Sequence, residues 1–545
     1  MSNISKEKRD QMLNVLRTLR ETNTESPEIL QALGDIEYEL THKKYGLVWE
    51  HHSETVDEAL KTSIPVFTEV KEKEIQNDLT NEKFNFLLEG DNLQSLYLLE
   101  KTHKEKIDVI YIDPPYNTGN KDFIYDDRIV DNTDTFRHSK WLSFMEARLR
   151  IARNLLNSKG VIFISIDDNE QAALKLLCDE ILGEQNFINC FVWKRNSSGK
   201  TEKTKFTVNT EYILLYGKSN SYVLNDVYKP LSESSLKLYN KDDGDGRGRY
   251  QSVSLQKPKN PGPETTYDYV DNNGKVWKCP KKGWRMVKSK IKDLENDNRL
   301  ILTGSTLRVK DYWNERPNSG KRVDTLWNDL PENTKGSAQL EDIFSKSVEF
   351  NNPKPIELIK RCVGVTTRNA LVLDFFAGSG TTGQAVLALN KEDGGHRQFI
   401  LCTNNQNEIC EKVTYERLAR VSRGNKKVEA LPCNLKYYKT EFVEKSSWTL
   451  REDLLKHTLE MIELECGHKV LIPSKELKKA RIVALFTDED AEALQENWEI
   501  ISPEIVYLAE DSVLLDAKQE KLLKMVKIIP IPEDYFYFEL NNEEV

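Results

Sequence analysis

The sequence predicts an α/β fold built on a doubly wound sheet, with an inserted domain and additional regions at both ends. From about residue 84 to 420, short apolar runs bounded by turn residues alternate with amphipathic segments. We interpret as buried strands the runs Ile107–Ile112, Val161–Ile166, Tyr212–Tyr216, Leu371–Leu373 and Phe399–Cys402. Residues 141–156 predict a helix whose apolar face carries Leu142, Met145, Leu149 and Ala152. Buried strands separated by helices indicate a parallel sheet with helices on both faces.

The length of 545 residues exceeds one ordinary domain. Near the N-terminus, apolar residues recur at helical spacing at Met12, Val15, Leu16 and Leu19. Residues 220–340 interrupt the alternation and are rich in Asn, Gly, Pro, Lys and Trp, which predicts a largely irregular insertion. The expected regions are an N-terminal helical interaction region at 1–80, two halves of the sheet domain at 81–220 and 341–420, the inserted domain at 221–340, and a separate C-terminal assembly domain at 421–545.

The composition is that of a globular protein, with 38% hydrophobic and 30% charged residues. The 8 cysteines are scattered without a CxxC pair, which argues against a paired-ligand zinc site and a disulfide framework. We therefore expect no metal and a reducing, cytoplasmic environment. No run of about 18 apolar residues occurs in the sequence, so we expect no membrane span.

The charge is unevenly distributed along the chain. The formal net charge is −10, yet residues 191–345 contain 28 Lys and Arg against 20 Asp and Glu, a balance of +8. Residues 421–545 contain 17 against 25, a balance of −8. A basic middle segment can bind the phosphates of a nucleic acid, although a solvated lysine-rich surface has the same charge. Charge alone is therefore compatible with DNA binding without requiring it.

The first candidate site is the run Asp113-Pro114-Pro115-Tyr116, which directly follows the predicted strand Ile107–Ile112. An exocyclic amine such as adenine N6 is a poor nucleophile because its lone pair is delocalised into the ring. A carboxylate at Asp113 and the carbonyl of Pro114 can accept hydrogen bonds from both amine hydrogens and free that lone pair. The prolines stiffen the backbone, and Tyr116 offers a flat face for a flipped base. A proline turn that begins with an Asp cap fits the same four residues.

The second candidate site is the loop Asp374-Phe375-Phe376-Ala377-Gly378-Ser379-Gly380-Thr381-Thr382-Gly383, which follows a predicted strand and opens a helix. Glycines allow close backbone approach to a ligand, and helix N-termini favour a carboxylate or phosphate. The letters at 378–383 also match the GxGxxG spacing of dinucleotide folds. Loops that follow parallel strands lie at the carboxyl edge of the sheet, so the two candidate sites are expected to meet there.

The two motifs resemble those of a known family. YIDPPYNTG at 111–119 and LDFFAGSGTTGQAV at 373–386 resemble the catalytic and cofactor motifs of β-class adenine-N6 DNA methyltransferases, in which target recognition lies between the two motifs in this order. Other segments resemble the modification (Mod) subunits of type III restriction–modification systems, namely KKYGLVWE at 43–50, GDNLQSL at 90–96, HSKWLSFMEARL at 138–149, GVIFISIDDNE at 160–170, EYILLYGKS at 211–219, FNNPKPIELIK at 350–360 and SSWTLREDLLKHTLE at 446–460. The resemblance covers nearly the whole chain and is weakest over 220–340.

The resemblance implies roles for individual residues. The adenine site comprises Asp113, Pro114, Pro115 and Tyr116. The S-adenosylmethionine site comprises Asp91, Asp374, Phe376, Ala377, Gly378, Ser379, Gly380 and Thr382. Asp91 is equally compatible with a helix N-cap. Many methyltransferases end the next strand with an acidic residue that binds the ribose, whereas this chain has Thr403-Asn404-Asn405 there, which leaves ribose recognition open.

The resemblance implies a site-specific DNA methyltransferase with a Rossmann-like sheet in permuted motif order, which flips adenine out of double-stranded DNA and methylates N6. It also implies a homodimer and an ATP-dependent restriction (Res) subunit as partner. The alternatives are cytosine-N4 methylation and a stand-alone enzyme of type II character. A DNA-binding scaffold without activity is disfavoured by the intact motifs. Ser198-Gly199-Lys200-Thr201 resembles the end of a phosphate loop, but Lys194 stands where the first glycine is required, so an ATP-driven enzyme is disfavoured.

Overall fold

The computed structural model describes most of the chain from residue 49 onward. The described residues are 12–16, 18–20, 33, 36, 49–78, 82–119, 124–125, 128–130, 133–198, 206–230, 236–257, 262–315, 320–348 and 350–541. Residues 12–16 and 18–20 are helical, as their spacing predicts. Apart from residues 33 and 36, the rest of the expected interaction region before residue 49 lies outside the described residues, as do the loop residues 199–201.

Strands and helices alternate through much of the described chain. The strands are β1 Ser63–Glu69, β2 Ile75–Gln76, β3 Asn85–Glu89, β4 Ile107–Ile112, β5 Ile124–Tyr125, β6 Arg128–Ile129, β7 Leu156–Ile166, β8 Phe187–Lys194, β9 Thr210–Gly217, β10 Tyr228–Pro230, β11 Tyr250–Ser254, β12 Tyr269–Val270, β13 Val276–Trp277, β14 Leu300–Ile301, β15 Arg308–Tyr312, β16 Gly320–Arg322, β17 Leu326–Trp327, β18 Leu371–Asp374, β19 Gln398–Thr403, β20 Asn434–Glu444, β21 Ile482–Leu485, β22 Ile505–Leu508 and β23 Lys527–Pro530. The α-helices are α1 Thr55–Thr62, α2 Asn92–His103, α3 Arg137–Leu155, α4 Gln171–Cys178, α5 Lys288–Asn296, α6 Asn333–Phe344, α7 Ile356–Val363, α8 Thr381–Asp393, α9 Glu416–Arg423, α10 Leu450–Leu455, α11 Thr458–Cys466, α12 Asp488–Glu496, α13 Trp498–Ile501, α14 Ala517–Leu523 and α15 Glu533–Asn541. Among the described residues, no helix is both long and apolar enough to cross a membrane.

An 11-stranded sheet forms the centre of the larger unit, in the order β1-β20-β3-β19-β18-β4-β7-β9-β8-β17, with β2 also paired to β20. From β4 the chain continues through α3 to β7 on one side, and from β18 it continues through α8 to β19 on the other. The sheet is therefore doubly wound, and its strand order reverses between β4 and β18. Ligands of open α/β sheets bind outside the carboxyl ends of the strands at such a point.

The sheet is mixed, which corrects the expectation of a parallel sheet. The pairs from β20 through β3, β19, β18 and β4 to β7 are parallel, whereas β9 runs antiparallel to both β7 and β8. The apolar run of β9 predicted its burial but not its direction, because a fully buried strand shows the same pattern in either orientation. This orientation places the first residues of β9 at the edge where β4 and β7 end.

Apolar side chains on both faces of the sheet form the core of the larger unit. The six residues of β4, IDVIYI, are buried except Asp108, as a central parallel strand requires. The α3 helix buries Trp141, Met145 and Leu149 on one face, in agreement with its predicted amphipathic pattern. Each such side chain contributes roughly 1.5–3 kcal/mol on full burial.

Residues 226–324 form a second compact unit, distinct from 1–225 and 325–545. It contains the small antiparallel sheets β10–β16, β11–β15–β14 and β12–β13 together with α5, and most of its described residues lie outside these elements, as the prediction of a largely irregular insertion implies. Its own core consists of Leu255, Tyr269, Trp277, Trp284, Ile291, Leu300 and Leu307. β17 and the first part of α6 lie within the range 221–340 that was expected for the inserted domain, but both belong to the larger unit.

The C-terminal region is part of the larger unit, although the sequence predicted a separate domain from residue 421. β20 lies inside the large sheet, where Leu435 pairs with Asn85 of β3. The last helix also packs against the sheet domain, since Tyr97 of α2 donates a 2.5 Å hydrogen bond to Glu539 of α15. The parallel sheet β21–β22–β23 is a local addition to this body.

Candidate active site

The two predicted motifs meet at the point where the strand order reverses. Asp113 directly follows β4, and Asp374 is the last residue of β18. The strands are parallel neighbours, with Val372 opposite Val109 and Leu373 opposite Ile110. Both carboxylates therefore leave the sheet at the same edge, and Asp113 contributes to raising the pKa of Asp374. The structure thus brings together the acidic residues of the two sequence motifs.

Asp113 is held by a buried network of three other side chains. The Tyr116 hydroxyl lies 2.8 Å from Asp113 Oδ1, to which it can donate, and 3.2 Å from Glu211 Oε2. Lys354 Nζ lies 3.0 Å from Asp113 Oδ2 and 3.2 Å from Glu211 Oε2, and it donates a 2.8 Å hydrogen bond to the Tyr116 hydroxyl. Arg195 pairs with the other Glu211 oxygen at 3.0 Å. Two carboxylates and two cations thus share one cluster.

Burial and charge oppose each other in this cluster. Burial raises the pKa of Asp113, and Glu211 raises it further, while Lys354 and the Tyr116 hydroxyl lower it. Burial works against the charge of Glu211, but Lys354 and Arg195 outweigh it and hold the pKa of Glu211 below its usual value. Burial likewise opposes the charge of Lys354, yet its two carboxylate partners hold the pKa of the lysine above the usual value. Lys354 therefore remains an ammonium ion.

The Trp141 side chain fixes the proline pair of the first motif. The indole nitrogen of Trp141 donates a 2.7 Å hydrogen bond to the Pro115 carbonyl. Within the described part of the chain, no donor engages the Pro114 carbonyl, so it is available as a second acceptor beside Asp113. Lys354 Nζ lies 5.0 Å from the Tyr116 ring centroid but only 2.8 Å from its hydroxyl. The lysine therefore lies at the hydroxyl end of the ring and not over its centre.

The second motif folds as a strand–loop–helix unit in which Asp374 binds its own loop. Asp374 Oδ1 accepts a 3.0 Å hydrogen bond from the Phe376 amide, and Oδ2 accepts a 2.5 Å bond from the Thr382 hydroxyl. Burial raises the pKa of Asp374 to about 7, although the Thr382 and Phe376 bonds lower it. The Ala377 amide donates to the Cys402 carbonyl of β19 at 3.1 Å. These contacts fix the loop between two strands of the sheet.

Arg417 of α9 binds side chains of the same loop. Its buried guanidinium donates to Thr381 Oγ1 at 2.7 Å, Ser379 Oγ at 3.0 Å and Gln384 Oε1 at 2.9 Å. Burial lowers the pKa of Arg417 to about 9, and no carboxylate among the described residues pairs with it. Because Arg417 donates to both the hydroxyl and the carbonyl of Ser379, only the Ser379 amide is left for a ligand.

The loop glycines are required by conformation and by protein packing. Gly378 has φ +49° and Gly380 has φ +74°, a left-handed backbone that other residues rarely adopt. A Cβ at Gly378 would meet Phe350 at 3.1 Å, and one at Gly380 would meet Thr414 at 3.1 Å. The nearest atoms to both Cβ positions belong to side chains of this protein, so packing as well as backbone conformation disfavours a larger residue there.

Asp91 acts as a helix cap. Its side chain accepts a 2.7 Å hydrogen bond from the Leu93 amide at the start of α2. The buried Arg148 reaches Asp91 at 3.3 Å and donates to Asn92 Oδ1 at 2.5 Å. Asn92 in turn donates a 2.8 Å hydrogen bond to the Phe375 carbonyl. Asp91 thus belongs to a chain of contacts that ends at the second motif.

The residues at this edge fit a cationic cofactor that carries a carboxylate, as S-adenosylmethionine does. Asp374 is buried and Asp113 is partly buried, both have raised pKa values, and a sulfonium charge beside them favours their ionised forms. The 13-residue helix α8 presents its N-terminus at the same loop, which favours an anionic group. At the end of β19, Asn405 Oδ1 accepts from the Glu411 amide at 3.1 Å, whereas Asn404 is exposed and is the better candidate for a ribose contact.

Sequence reasoning missed several residues that the structure places at the site. Lys354 and Glu211 complete the Asp113 cluster, Arg417 supports the second motif, and Arg148 joins it to α2. Glu211 is an isolated charge at the start of the apolar run EYILLYG, whereas Arg148 and Arg417 lie in helices that carry several other charges. A buried charge requires a partner, so Glu211 alone offered a signal in the sequence.

Comparison with known proteins assigns the chain to a family. The family described as DNA methylase matches residues 107–415, which contain both motifs. The chain belongs to the DNA methylase family. Type II methyltransferase M.KpnI of Klebsiella pneumoniae is 35% identical over 382 residues, which are 65% of this chain and 90% of that protein.

Two Mod subunits of type III restriction–modification enzymes are also similar to this DNA methylase. The StyLTI Mod subunit of Salmonella typhimurium is 36% identical over 373 residues, which are 62% of this chain and 56% of that subunit. The EcoPI Mod subunit of Escherichia phage P1 is 32% identical over 437 residues, which are 68% of this chain and 65% of that subunit. The chain thus spans between half and two thirds of the length of these Mod subunits, and the resemblance inferred from the motifs is confirmed.

Proposed function

We propose that this DNA methylase transfers a methyl group from S-adenosylmethionine to adenine N6 in double-stranded DNA, at a specific sequence and by base flipping. The observation that carries the proposal is the placement of Asp113, the free Pro114 carbonyl and the Tyr116 ring face beside the loop that begins at Asp374. This single sheet edge combines acceptors for a base amine with a site for a methyl donor.

The residues of the first motif hold and activate the base. Asp113 and the Pro114 carbonyl accept the two hydrogens of the exocyclic amine, which returns the nitrogen lone pair from the ring to the amine. Tyr116 stacks its ring on the flipped base, a contact of roughly 1–3 kcal/mol. Trp141 holds Pro115 so that the preceding carbonyl keeps its direction. A flipped base is required because the amine is inaccessible inside a duplex.

The residues of the second motif hold the cofactor. S-adenosylmethionine supplies an electrophilic methyl group when it is bound. Asp374 and Phe376 border the cofactor at the carboxyl edge, and the backbone from Ala377 to Gly380 receives it at the start of α8. Thr382 fixes the Asp374 carboxylate through its hydroxyl. Asp91 contributes from the start of α2, where Asn92 is bonded to the loop.

Cytosine-N4 methylation is the second candidate within the same chemistry, because that amine requires the same two acceptors. An aspartate at position 113 favours adenine by resemblance to the family. A test of the mechanism is transfer of a labelled methyl group to duplex DNA by Asp113→Ala. We expect no transfer but retained cofactor binding. Asp168→Asn is the matched control, since Asp168 is exposed near the end of the neighbouring strand and binds only Tyr212 among the described residues. Transfer by Asp113→Ala at the unaltered rate contradicts the role of the carboxylate.

We further propose that 226–324 reads the DNA sequence. This unit lies in the basic part of the chain, and it interrupts the methylase sheet between the two motifs. DNA binding should weaken steeply with salt, because phosphate contacts release counterions.

For assembly, we propose a homodimer that binds an ATP-dependent restriction subunit through the acidic residues after 446. Light scattering with DNA present should give about twice the 63.1 kDa of one chain, and a mass of one chain contradicts the dimer.

A further inference from the structure

Lys354 and Glu211 belong to neither motif, yet both contact the proposed base-binding carboxylate or its tyrosine. Lys354 precedes α7, Glu211 lies in β9 and Asp113 follows β4, so three distant segments converge on one cluster. The Lys354 side chain is 6% exposed and that of Glu211 is 3% exposed. Buried charges are costly unless paired, so their convergence at the reaction site requires an explanation beyond surface solvation.

We propose that Lys354 is a positioning residue for methyl transfer, which holds Asp113 and Tyr116 in place for the base amine. Glu211 moderates the interaction of Lys354 with Asp113, because it shares the same ammonium group. The inference rests on the proposed function. Lys354 contacts Asp113 Oδ2, and Tyr116 contacts Oδ1, which fixes both the rotation of the carboxylate and the position of the ring. Each carboxylate oxygen can accept two hydrogen bonds, so capacity for the amine remains.

The arrangement also keeps Asp113 in the form that accepts hydrogen bonds. The charged and titratable groups that face it are Lys354 before α7, Glu211 of β9 with its partner Arg195, Tyr116 of its own loop, Tyr111 of β4 and Asp374 of β18. Lys354 lowers the pKa of Asp113, whereas burial and Glu211 raise it. Loss of Lys354 should therefore raise the pKa of Asp113, and loss of the Glu211 charge should lower it.

A different role for Lys354 is to occupy the position of the amine and exclude the base. The geometry favours positioning over exclusion, because Nζ lies beside the Tyr116 hydroxyl and 5.0 Å from the ring centroid. Its three oxygen partners come from two segments, the loop after β4 for Asp113 and Tyr116 and β9 for Glu211. An excluding lysine predicts faster transfer when its charge is removed, and a positioning lysine predicts the reverse.

The test is the pH profile of kcat/KM for methyl transfer, which reports groups of the free enzyme. We compare the unaltered protein with Lys354→Met, Lys354→Arg and Glu211→Gln. Lys354→Met should move the acidic limb of the profile, where kcat/KM rises with pH, to higher pH by about one unit or more. At pH values below that limb, kcat/KM should fall about tenfold, and it should recover as the pH rises. Lys354→Arg should keep the limb in place, and Glu211→Gln should move it downward.

Calorimetric binding of S-adenosylmethionine shows that each variant remains folded. Opposite shifts of the limb in Lys354→Met and Glu211→Gln support the proposal. A uniform loss of activity with an unmoved limb overturns it in favour of simple packing, and faster transfer by Lys354→Met overturns it in favour of exclusion. If the unaltered protein transfers no methyl group to DNA, the proposed function fails and this role fails with it. Activity with unmoved limbs refutes this role alone.

Discussion

The buried carboxylate of Asp374 should destabilise the folded protein when no cofactor is bound. Its pKa is raised from 3.8 to about 7 by burial, a difference that corresponds to roughly 4 kcal/mol. The pKa of Asp374 is higher in the folded protein than in the unfolded chain, so the stability that its protonated form contributes is fully present below pH about 4. This stability is lost as the pH rises to about 7, and it remains lost above that value.

Asp374→Asn removes this penalty while keeping the shape of the side chain. The Asn oxygen can still accept from the Phe376 amide, and its amide group can donate to the Thr382 hydroxyl. Without cofactor at pH 8, we expect the variant to be more stable than the unaltered protein by up to roughly 4 kcal/mol, and at pH 5 by only about 1–2 kcal/mol. S-adenosylmethionine should bind the variant at least tenfold more weakly at pH 8, because a neutral amide no longer faces the sulfonium charge.

The assay is calorimetric unfolding at both pH values, followed by titration with the cofactor. Asp393→Asn is the matched control on α8, because the Asp393 carboxylate is paired with Arg397 at 2.8 and 3.0 Å and its pKa is lowered by that pair. The control should lose stability at pH 8, the opposite sign. An Asp374→Asn protein that is no more stable than the unaltered one at pH 8 would refute the reasoning.

Three further predictions follow from the second motif and the inserted unit. Gly380→Ala and Gly394→Ala both place a side chain at positive φ, which costs roughly 1–2 kcal/mol of stability. Only the Cβ at Gly380 has a neighbour within 4 Å, so titration should show that cofactor affinity falls in Gly380→Ala alone. Arg417→Met should lower the unfolding free energy by about 3 kcal/mol through loss of its charged hydrogen bonds, whereas Arg420→Met, on the exposed side of the same helix, should change it by about 0.5 kcal/mol or less; equal effects contradict a supporting role. Exchange of 226–324 for the matching unit of a relative should change the methylated sequence and keep the methylated base, as sequencing of modified DNA can show; an unchanged target places recognition elsewhere.

The sequence was sufficient to locate the strands and loops that carry the motifs. β4 coincides with its predicted run, and β18 extends the predicted run by Asp374 alone. These strands are short, continuous apolar runs, so they can be located from neighbouring residues alone, without knowledge of the rest of the fold. The motif residues lie at strand ends, and parallel neighbours necessarily bring such ends together.

The pairing of distant segments was not predictable from local patterns. The antiparallel direction of β9 and the insertion of β20 beside β3 depend on contacts between residues far apart in sequence, such as Leu435 and Asn85. The partnership of Lys354 with Asp113 has the same origin, because each residue alone is an unremarkable charged position. β7 begins at Leu156, before the predicted start at Val161, and the sequence missed this start because the intervening residues 157–159 are polar and not buried.

The central claim is that this DNA methylase modifies adenine at N6. The most direct measurement is to incubate the protein with duplex DNA and S-adenosylmethionine labelled in the methyl group, digest the DNA to nucleosides and identify the labelled nucleoside by mass spectrometry. We predict N6-methyldeoxyadenosine as the labelled product, absent with Asp113→Ala. Label in N4-methyldeoxycytidine would contradict the choice of base, and the absence of any labelled nucleoside from the unaltered protein would contradict the proposed activity itself.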